Sequence, residues 1–369
     1  MAINCGIVGL PNVGKSTIFQ ALTSAPAEAA NYPFCTIEPN QGVVALNDPR
    51  MEKIAKIVGP EKVIPTAVEF LDIAGLVKGA SKGEGLGNQF LGHIRQVNAI
   101  VHVVRCFDDA DVVHVSGRID PIDDVEIINI ELALADLESV QKRLEKLPKE
   151  MKNQKKEISS LAKMQLPVLE KLAKELEEGR GARTLDWTDE EKELLEPLNL
   201  ITLKDMLYLC NVDENTIEED NDYVKLVKEY ATKDGAACLS ICGKLESEIA
   251  SLETLEEKAE FLEAAGIEQS GLDILSETVY KMLGLRTYFT AGVQEVRAWT
   301  FHEGAKAPEA AGVIHTDFEK GFIKAEVYHC SDLFELGSEA KVKVAGKFRM
   351  EGKEYVVKDG DVMHFRFNV

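Results

Sequence analysis

Two hydrophobic periods divide this chain. Apolar runs of strand length recur at Ile3 to Val8, Thr66 to Ile73, Asn98 to Phe107, Asp205 to Cys210 and Ala237 to Cys242, with helix-like stretches such as Ser16 to Leu22 between them. Nearly unbroken apolar runs suit strands covered on both faces. The alternation from Met1 to about Leu283 therefore predicts an α/β fold with a doubly wound, mostly parallel sheet. From about Ile127 the period lengthens. Ile130, Leu134, Leu137, Val140, Leu144 and Leu147 recur at helical spacing, and after Pro148 so do Ile158, Leu161, Met164, Val168, Leu172 and Leu176. Two antiparallel helices joined near Pro148 are expected, an inserted coiled-coil hairpin over 127–198, with Pro167 kinking or interrupting the second. Beyond Gly284 short alternating runs, Val296 to Phe301, Lys341 to Val344, Tyr355 to Lys358 and Met363 to Phe367, are separated by glycine turns and predict a small mixed β domain over 284–369. The sheet domain is then 1–126 together with 199–283.

Chemistry enters at Gly9-Leu10-Pro11-Asn12-Val13-Gly14-Lys15-Ser16-Thr17, which fits G-x-x-x-x-G-K-[ST] between the first strand and the first helix. Glycines let the backbone curl until successive N–H groups and a helix N-terminus converge on a polyanion; Lys15 then reaches the β- and γ-phosphates and Ser16 ligates magnesium. A nucleoside triphosphate is the expected ligand. Ala25 to Gln41 reads as a loop containing Asn31-Tyr32-Pro33-Phe34-Cys35-Thr36-Ile37-Glu38-Pro39-Asn40, where a threonine, Thr36, can set its hydroxyl on magnesium and its N–H on the γ-phosphate. Asp72-Ile73-Ala74-Gly75 is D-x-x-G at the C-terminal end of a strand, where ligands of open parallel sheets gather. Asp72 is expected to hold magnesium through water, and the Gly75 N–H to sense the γ-phosphate. Gly75, Gly79, Gly83, Gly85, Gly87 and Gly92 follow in close succession, interleaved with Lys78 and Lys82. Such freedom beside a phosphate sensor suits a segment that orders with triphosphate and loosens without it, the alternative being an ordinary flexible loop.

The base-reading signal departs from that of GTP-binding domains. Where N-K-x-D is expected at a strand end, the chain has Asn211-Val212-Asp213-Glu214. A carboxylate one methylene longer crowds the guanine edge, and losing a bidentate base contact costs about 1–3 kcal/mol of discrimination. Adenine needs only a partner for its 6-amino group and its N1, which backbone near Asn211 or Val212 can supply. A shifted register, with Asp213 on guanine, is the competing reading. The residue after Gly75 is Leu76, where GTPases carry a glutamine that orients the attacking water. Leucine cannot do so, and His114, on an acidic loop from Asp108 to Asp124, is the candidate replacement unless it is incidental.

Composition narrows the partners. The formal net charge of −21 opposes a protein that coats nucleic acid, so any such contact must be local. Lys142, Arg143, Lys146, Lys149, Lys152, Lys155 and Lys156 surround the predicted hairpin bend, opposed there by Glu145 and Glu150. This basic tip is either an RNA contact or a solvated helical face laced with salt bridges. DNA and membranes are not expected partners: no apolar run approaches the ~20 residues of a membrane helix, and no basic-then-apolar leader precedes the first strand. Seven cysteines, Cys5, Cys35, Cys106, Cys210, Cys238, Cys242 and Cys330, lack C-x-x-C spacing and read as reduced cytoplasmic thiols, with Cys5, Cys106 and Cys210 as core residues.

With these residues in view, the chain closely resembles the YchF/Obg-like ATPase family of Obg-related P-loop proteins over essentially its whole length. The resemblance rests on the phosphate loop, N-Y-P-F-C-T-I-E-P-N, D-I-A-G-L with its glycine series, N-V-D-E, the helical insertion and a C-terminal portion that looks like a TGS domain of β-grasp type. It implies a cytoplasmic, magnesium-dependent enzyme that hydrolyses ATP in preference to GTP and associates with ribosomes. By motif it carries nucleotide contacts to Asn12, Val13, Gly14, Lys15, Ser16 and Thr17, magnesium contacts to Ser16 and Thr36, a potassium contact to Asn12 and a catalytic role to His114. Ser240, in Ser240-Ile241-Cys242 where many relatives of the GTPases show S-A-K, marks the far side of the base pocket. The rival readings are an ATP-gated adaptor with negligible hydrolysis, a small-molecule kinase and a conventional GTPase switch.

Overall fold

A computed structural model describes residues 4–24, 40–73, 86–109, 118–217 and 219–368. Thr36, Gly75, Leu76 and His114 lie outside them. Strand β1 (Asn4–Val8) is buried from Cys5 to Val8 and runs at the centre of the first sheet. It leads through residues 9–14 into α1 (Lys15–Ser24). The chain then forms β2 (Gln41–Ala45), α2 (Pro49–Val58), β3 (Lys62–Ile64), β4 (Ala67–Asp72), α3 (Leu86–Gln96) and β5 (Ala99–Arg105), which is buried at every position. Helices α4 (Pro121–Glu150), α5 (Lys156–Glu177) and α6 (Asp189–Leu195) precede β6 (Asp205–Asn211), α7 (Asp222–Asp234), β7 (Ala237–Ile241), α8 (Gly243–Ala250), α9 (Leu255–Ala264) and α10 (Gly271–Met282). The first sheet has the order β2-β4-β1-β5-β6-β7, antiparallel between β2 and β4 and parallel elsewhere. It is the expected doubly wound sheet with one reversed edge strand. Cys5, Cys106 and Cys210 are buried in its core.

The C-terminal part is β8 (Leu285–Ala291), β9 (Glu295–His302), α11 (Ala307–Ile314), α12 (Thr316–Lys320), β10 (Phe322–His329), α13 (Cys330–Leu336), α14 (Glu339–Val344), β11 (Arg349–Glu351) and β12 (Asp361–Phe367). Its sheet order is β11-β10-β12-β8-β9-β3, with β12 and β8 parallel at the centre and flanked by antiparallel β10 and β9. This is a β-grasp arrangement. Two stretches differ from their sequence patterns. Lys341 to Val344 is helical, because Ser338 caps the N-terminus by accepting from the Lys341 N–H, and only Val342 needs burial. Tyr355 to Lys358 contributes an isolated bridge between Val356 and Lys306 rather than a strand.

The last strand of this sheet comes from elsewhere. Asp48 caps α2 with Pro49 at its first turn, and Gly59 closes it at φ 64°. From there β3 joins β9 in parallel, so residues between two strands of the first sheet build the edge of the second.

The hairpin also departs in detail. Helix α4 begins at Pro121, capped by Asp120, and continues past Pro148 to Glu150; the bend falls at 151–155. Pro167 does not interrupt α5. It lies on the exposed face, where water can satisfy the carbonyl that its missing N–H leaves free. The seam is made by Leu137, Val140, Leu147, Ala162, Val168, Leu169, Leu172 and Leu176. Ile130, Leu134, Ile158, Leu161 and Met164, expected in it, are exposed. The root of α4 instead turns Val125, Ile128 and Leu132 into the core of the first sheet. There buried Asp136 accepts hydrogen bonds from the Ile201 and Thr202 N–H groups at 3.0 and 2.7 Å, fixing the hairpin to the sheet. Among the described residues no helix is long and apolar enough to cross a membrane.

Candidate nucleotide-binding site

The site lies at the C-terminal edge of the first sheet. Between β1 and α1 the backbone turns left-handed at Asn12 (φ 64°) and Gly14 (φ 92°), the kind of alternation that aims N–H groups into one concavity. A side chain on Gly14 would run into Asn211 Nδ2, and one on Gly9 would come within 3.0 Å of the Val103 carbonyl. Buried Leu10 and Val13 anchor the loop from below, while Asn12, Ser16 and Thr17 are exposed at its mouth. Ile18 N–H donates to the Gly14 carbonyl at 3.1 Å, the first helical bond of α1. The N–H groups of Lys15, Ser16 and Thr17 precede it and have no acceptor within the helix, which makes them available to an anion.

Opposite the loop, β4 ends at Asp72, whose N–H donates to the Asn40 carbonyl at 2.8 Å. The Lys15 ammonium is ion-paired with the Asp72 carboxylate, the two side chains being 12% and 21% exposed. Charge is thus balanced inside the cradle. A triphosphate entering it offers Lys15 a stronger anionic partner and leaves the Asp72 carboxylate for a cation. The Ser16 hydroxyl and the Asp72 carboxylate are hard oxygen donors on either side of the cradle, the set that suits magnesium.

On the base side, Asn211 is buried and both ends of its amide are engaged. Nδ2 donates to the Val13 carbonyl and Oδ1 accepts from the Gly243 N–H, each at 3.0 Å. Asn211 therefore ties the phosphate loop to the start of α8. The Val212 N–H donates to the Ile241 carbonyl at 2.9 Å, and the Asn211 carbonyl accepts from Cys106 N–H at 2.8 Å. Much of the backbone expected to meet adenine thus already has partners. Asp213 Oδ1 accepts from the Asn215 N–H at 3.0 Å and from the Thr216 hydroxyl at 2.9 Å, capping a short helical turn over Glu214–Thr216. A carboxylate so occupied is poorly placed to read guanine. Glu214 pairs with Lys244 at 2.8 Å across the two loop ends. Lys244 was not legible as a site residue, since nothing in its local pattern links it to Glu214. Ser240 Oγ is enclosed and makes no hydrogen bond among the described residues, and Gly243 is buried beside it, so the exposed residue at this loop end is Lys244.

Two other groups are separated from the site by the structure. His102 is wholly buried in β5 against Tyr208, with ring centroids 5.5 Å apart. Burial, reinforced by the nearby Arg183 charge, lowers its pKa to about 3, so it is a neutral core residue. At the hairpin tip, Arg143 is held by Glu150 at 2.7 Å and by Gln165, and Lys142 by Glu138. Lys149, Lys152 and Lys155 are exposed and form no ion pair among the described residues.

Residues 4–163 match a family described as 50S ribosome-binding GTPase. Residues 285–368 match the C-terminal family of YchF GTPases, described as a protein of unknown function. Across its full length the chain is 56% identical to a protein of Bacillus subtilis and 56% identical to one of Haemophilus influenzae, each matched over its full length and each named ribosome-binding ATPase YchF. The chain belongs to the YchF family. The solved structure of the Schizosaccharomyces pombe YchF GTPase superposes with a TM-score of 0.89 at 40% identity, covering 99% of this chain and 97% of that one. The two family matches divide along the architecture: the first holds the phosphate loop and most of the hairpin, and the second coincides with β8 to β12.

Proposed function

We propose that this YchF-family protein is a cytoplasmic, magnesium-dependent ATPase that prefers ATP over GTP, converts ATP and water to ADP and phosphate, and associates with ribosomes. The observation that carries the base preference is the pairing of Glu214 with Lys244. Guanine presents two donors, N1–H and the 2-amino group, and needs a free carboxylate. Here Asp213 caps its own turn and Glu214 faces an ammonium. Lys15, released from Asp72, neutralises charge on the γ-phosphoryl group. Ser16 and Asp72, with Thr36, would hold magnesium, which would withdraw charge from the phosphate oxygens. Asn12, exposed at the loop mouth, contacts a potassium ion in this reading. Thr36 and the Gly75 N–H contact the γ-phosphate, and His114 positions water in place of the residue that Leu76 cannot supply. The ribosome contact runs through Lys149, Lys152 and Lys155 and the β-grasp domain, a reading supported by the names of the relatives and by the exposure of these lysines, which form no ion pair among the described residues.

Leu76 favours a second reading, an ATP-gated adaptor with negligible hydrolysis. Calorimetric titration with ATP and GTP analogues in magnesium and potassium, paired with turnover, separates the possibilities. Tighter ATP binding that moves toward GTP in Glu214→Asp, with turnover lost in His114→Ala while ATP still binds, supports the ATPase. Tighter GTP binding by the wild type overturns the base assignment.

A further inference from the structure

The two strands beside the candidate magnesium carboxylate are joined by a connection that belongs to the other sheet. β2 and β4 pair from Gln41↔Leu71 to Ala45↔Ala67, and Leu46 N–H donates to the Thr66 carbonyl at 2.8 Å. Between them, Met51 and Ile54 of α2 are buried with Phe289, Val296, Tyr328 and Val362, and β3 pairs with β9. Arg50 sits at the joint. Its guanidinium binds Asp48 through Nε and Nη2, at 3.0 and 2.7 Å, and reaches Asp359 through Nη1 at 2.6 Å. Its Cζ lies over the Phe289 ring, 5.3 Å from the ring centre. Asp359 in turn accepts from the Thr287 N–H at 2.9 Å, so one carboxylate holds α2 and the first strand of the β-grasp together.

The C-terminal sheet has a second attachment, where α10 runs into β8. There the Tyr280 hydroxyl is within 2.9 Å of the Arg286 carbonyl and 2.9 Å of Thr287 Oγ1. A sheet tied at two places to one nucleotide domain must respond when the tie points move relative to each other. Replacing the Lys15–Asp72 pair by a triphosphate and its cation removes an ion pair from the end of β4, and the α10 attachment takes no part in that pair. We infer that residues 46–66 transmit occupancy of the phosphate site to the C-terminal sheet, with Arg50 as the positioning residue at the joint. This rests on the nucleotide reading of Lys15 and Asp72. By reciprocity, whatever binds the C-terminal sheet and shifts the joint changes triphosphate affinity by the same factor.

The test is hydrogen exchange on the full chain, with and without magnesium and non-hydrolysable ATP or GTP analogues. With analogue bound, amides of 9–17 become protected, and those of 49–58 and 287–291 change exchange by about fivefold or more, the lower end of ordinary coupling between sites. In Arg50→Met the protection of 9–17 persists and the response at 49–58 is lost; Arg50→Lys restores part of it. Asp359→Asn keeps the acceptor for Thr287 but not the charge, and gives the same loss should Arg50→Met fail to fold. Protection at 9–17 with 46–66 unchanged overturns the coupling and leaves the nucleotide reading intact. A response in both charge-removing variants equal to the wild type removes Arg50 from it. No protection at 9–17 with either analogue overturns both.

Discussion

Asn211→Ala tests whether the base-side asparagine reads the nucleotide or holds the site together. The substitution leaves the Val13 carbonyl and the Gly243 N–H, both paired at 3.0 Å in the wild type, buried without partners. Each orphaned group costs about 1–3 kcal/mol, so the pair costs about 2–6 kcal/mol. That cost falls on the arrangement in which the phosphate loop and α8 are held together. If only the lower figure lands on binding, triphosphate affinity drops roughly 30-fold. Because the two bonds go to protein backbone, ATP and GTP analogues should lose affinity by the same factor, and the remaining cost should appear as a lower unfolding temperature. Calorimetric titration with both analogues, paired with thermal unfolding of the nucleotide-free protein, reads both quantities. Asn211→Asp is the sharper companion: it keeps an acceptor for Gly243 but sets a carboxylate against the Val13 carbonyl, and should bind no better than the alanine variant. A change in the ATP to GTP ratio at unchanged stability would refute the bridging role and make Asn211 a direct reader of the base.

Three further outcomes are expected. Lys244→Met frees Glu214 and should move the ATP to GTP preference toward GTP by no more than about fivefold, since both side chains are largely exposed and solvent screens the pair; analogue titrations give the ratio. His102 has a folded pKa of about 3, below its ordinary 6.5. The unfolded chain therefore binds a proton that the fold refuses, and stability is undiminished above pH 6.5 and falls as pH drops toward 3 by about 1.4 kcal/mol per unit from this group. His102→Leu should flatten that slope in urea unfolding at stepped pH, and an equal slope would show that another group carries it. Neutralising Lys149, Lys152 and Lys155 together should weaken ribosome binding and flatten its salt dependence; an unchanged slope removes the hairpin tip from the interface.

Much of the first sheet was determined by local pattern. Strands buried on both faces must be apolar throughout, so β1, β5 and β6 announce themselves, and the phosphate loop is legible because its work is done by backbone, which only glycine at Gly14 and a tolerant residue at Asn12 permit. The helical hairpin was legible as a period, but not which apolar positions face its seam: Ile130 is exposed because the root of α4 turns another face toward the sheet, and Leu161 because α5 turns Ala162 and Val168 into the seam. Tertiary structure alone decided what the polar groups do. Asn211 stands 198 residues from Val13, and Arg50 stands 309 residues from Asp359. A hydrogen bond or ion pair carries no periodic trace in the chain. Its partners are chosen by where the sheet order brings strand ends together, and so the staple at Asn211, the pair at Glu214 and Lys244, and the insertion of β3 into the C-terminal sheet come from the fold.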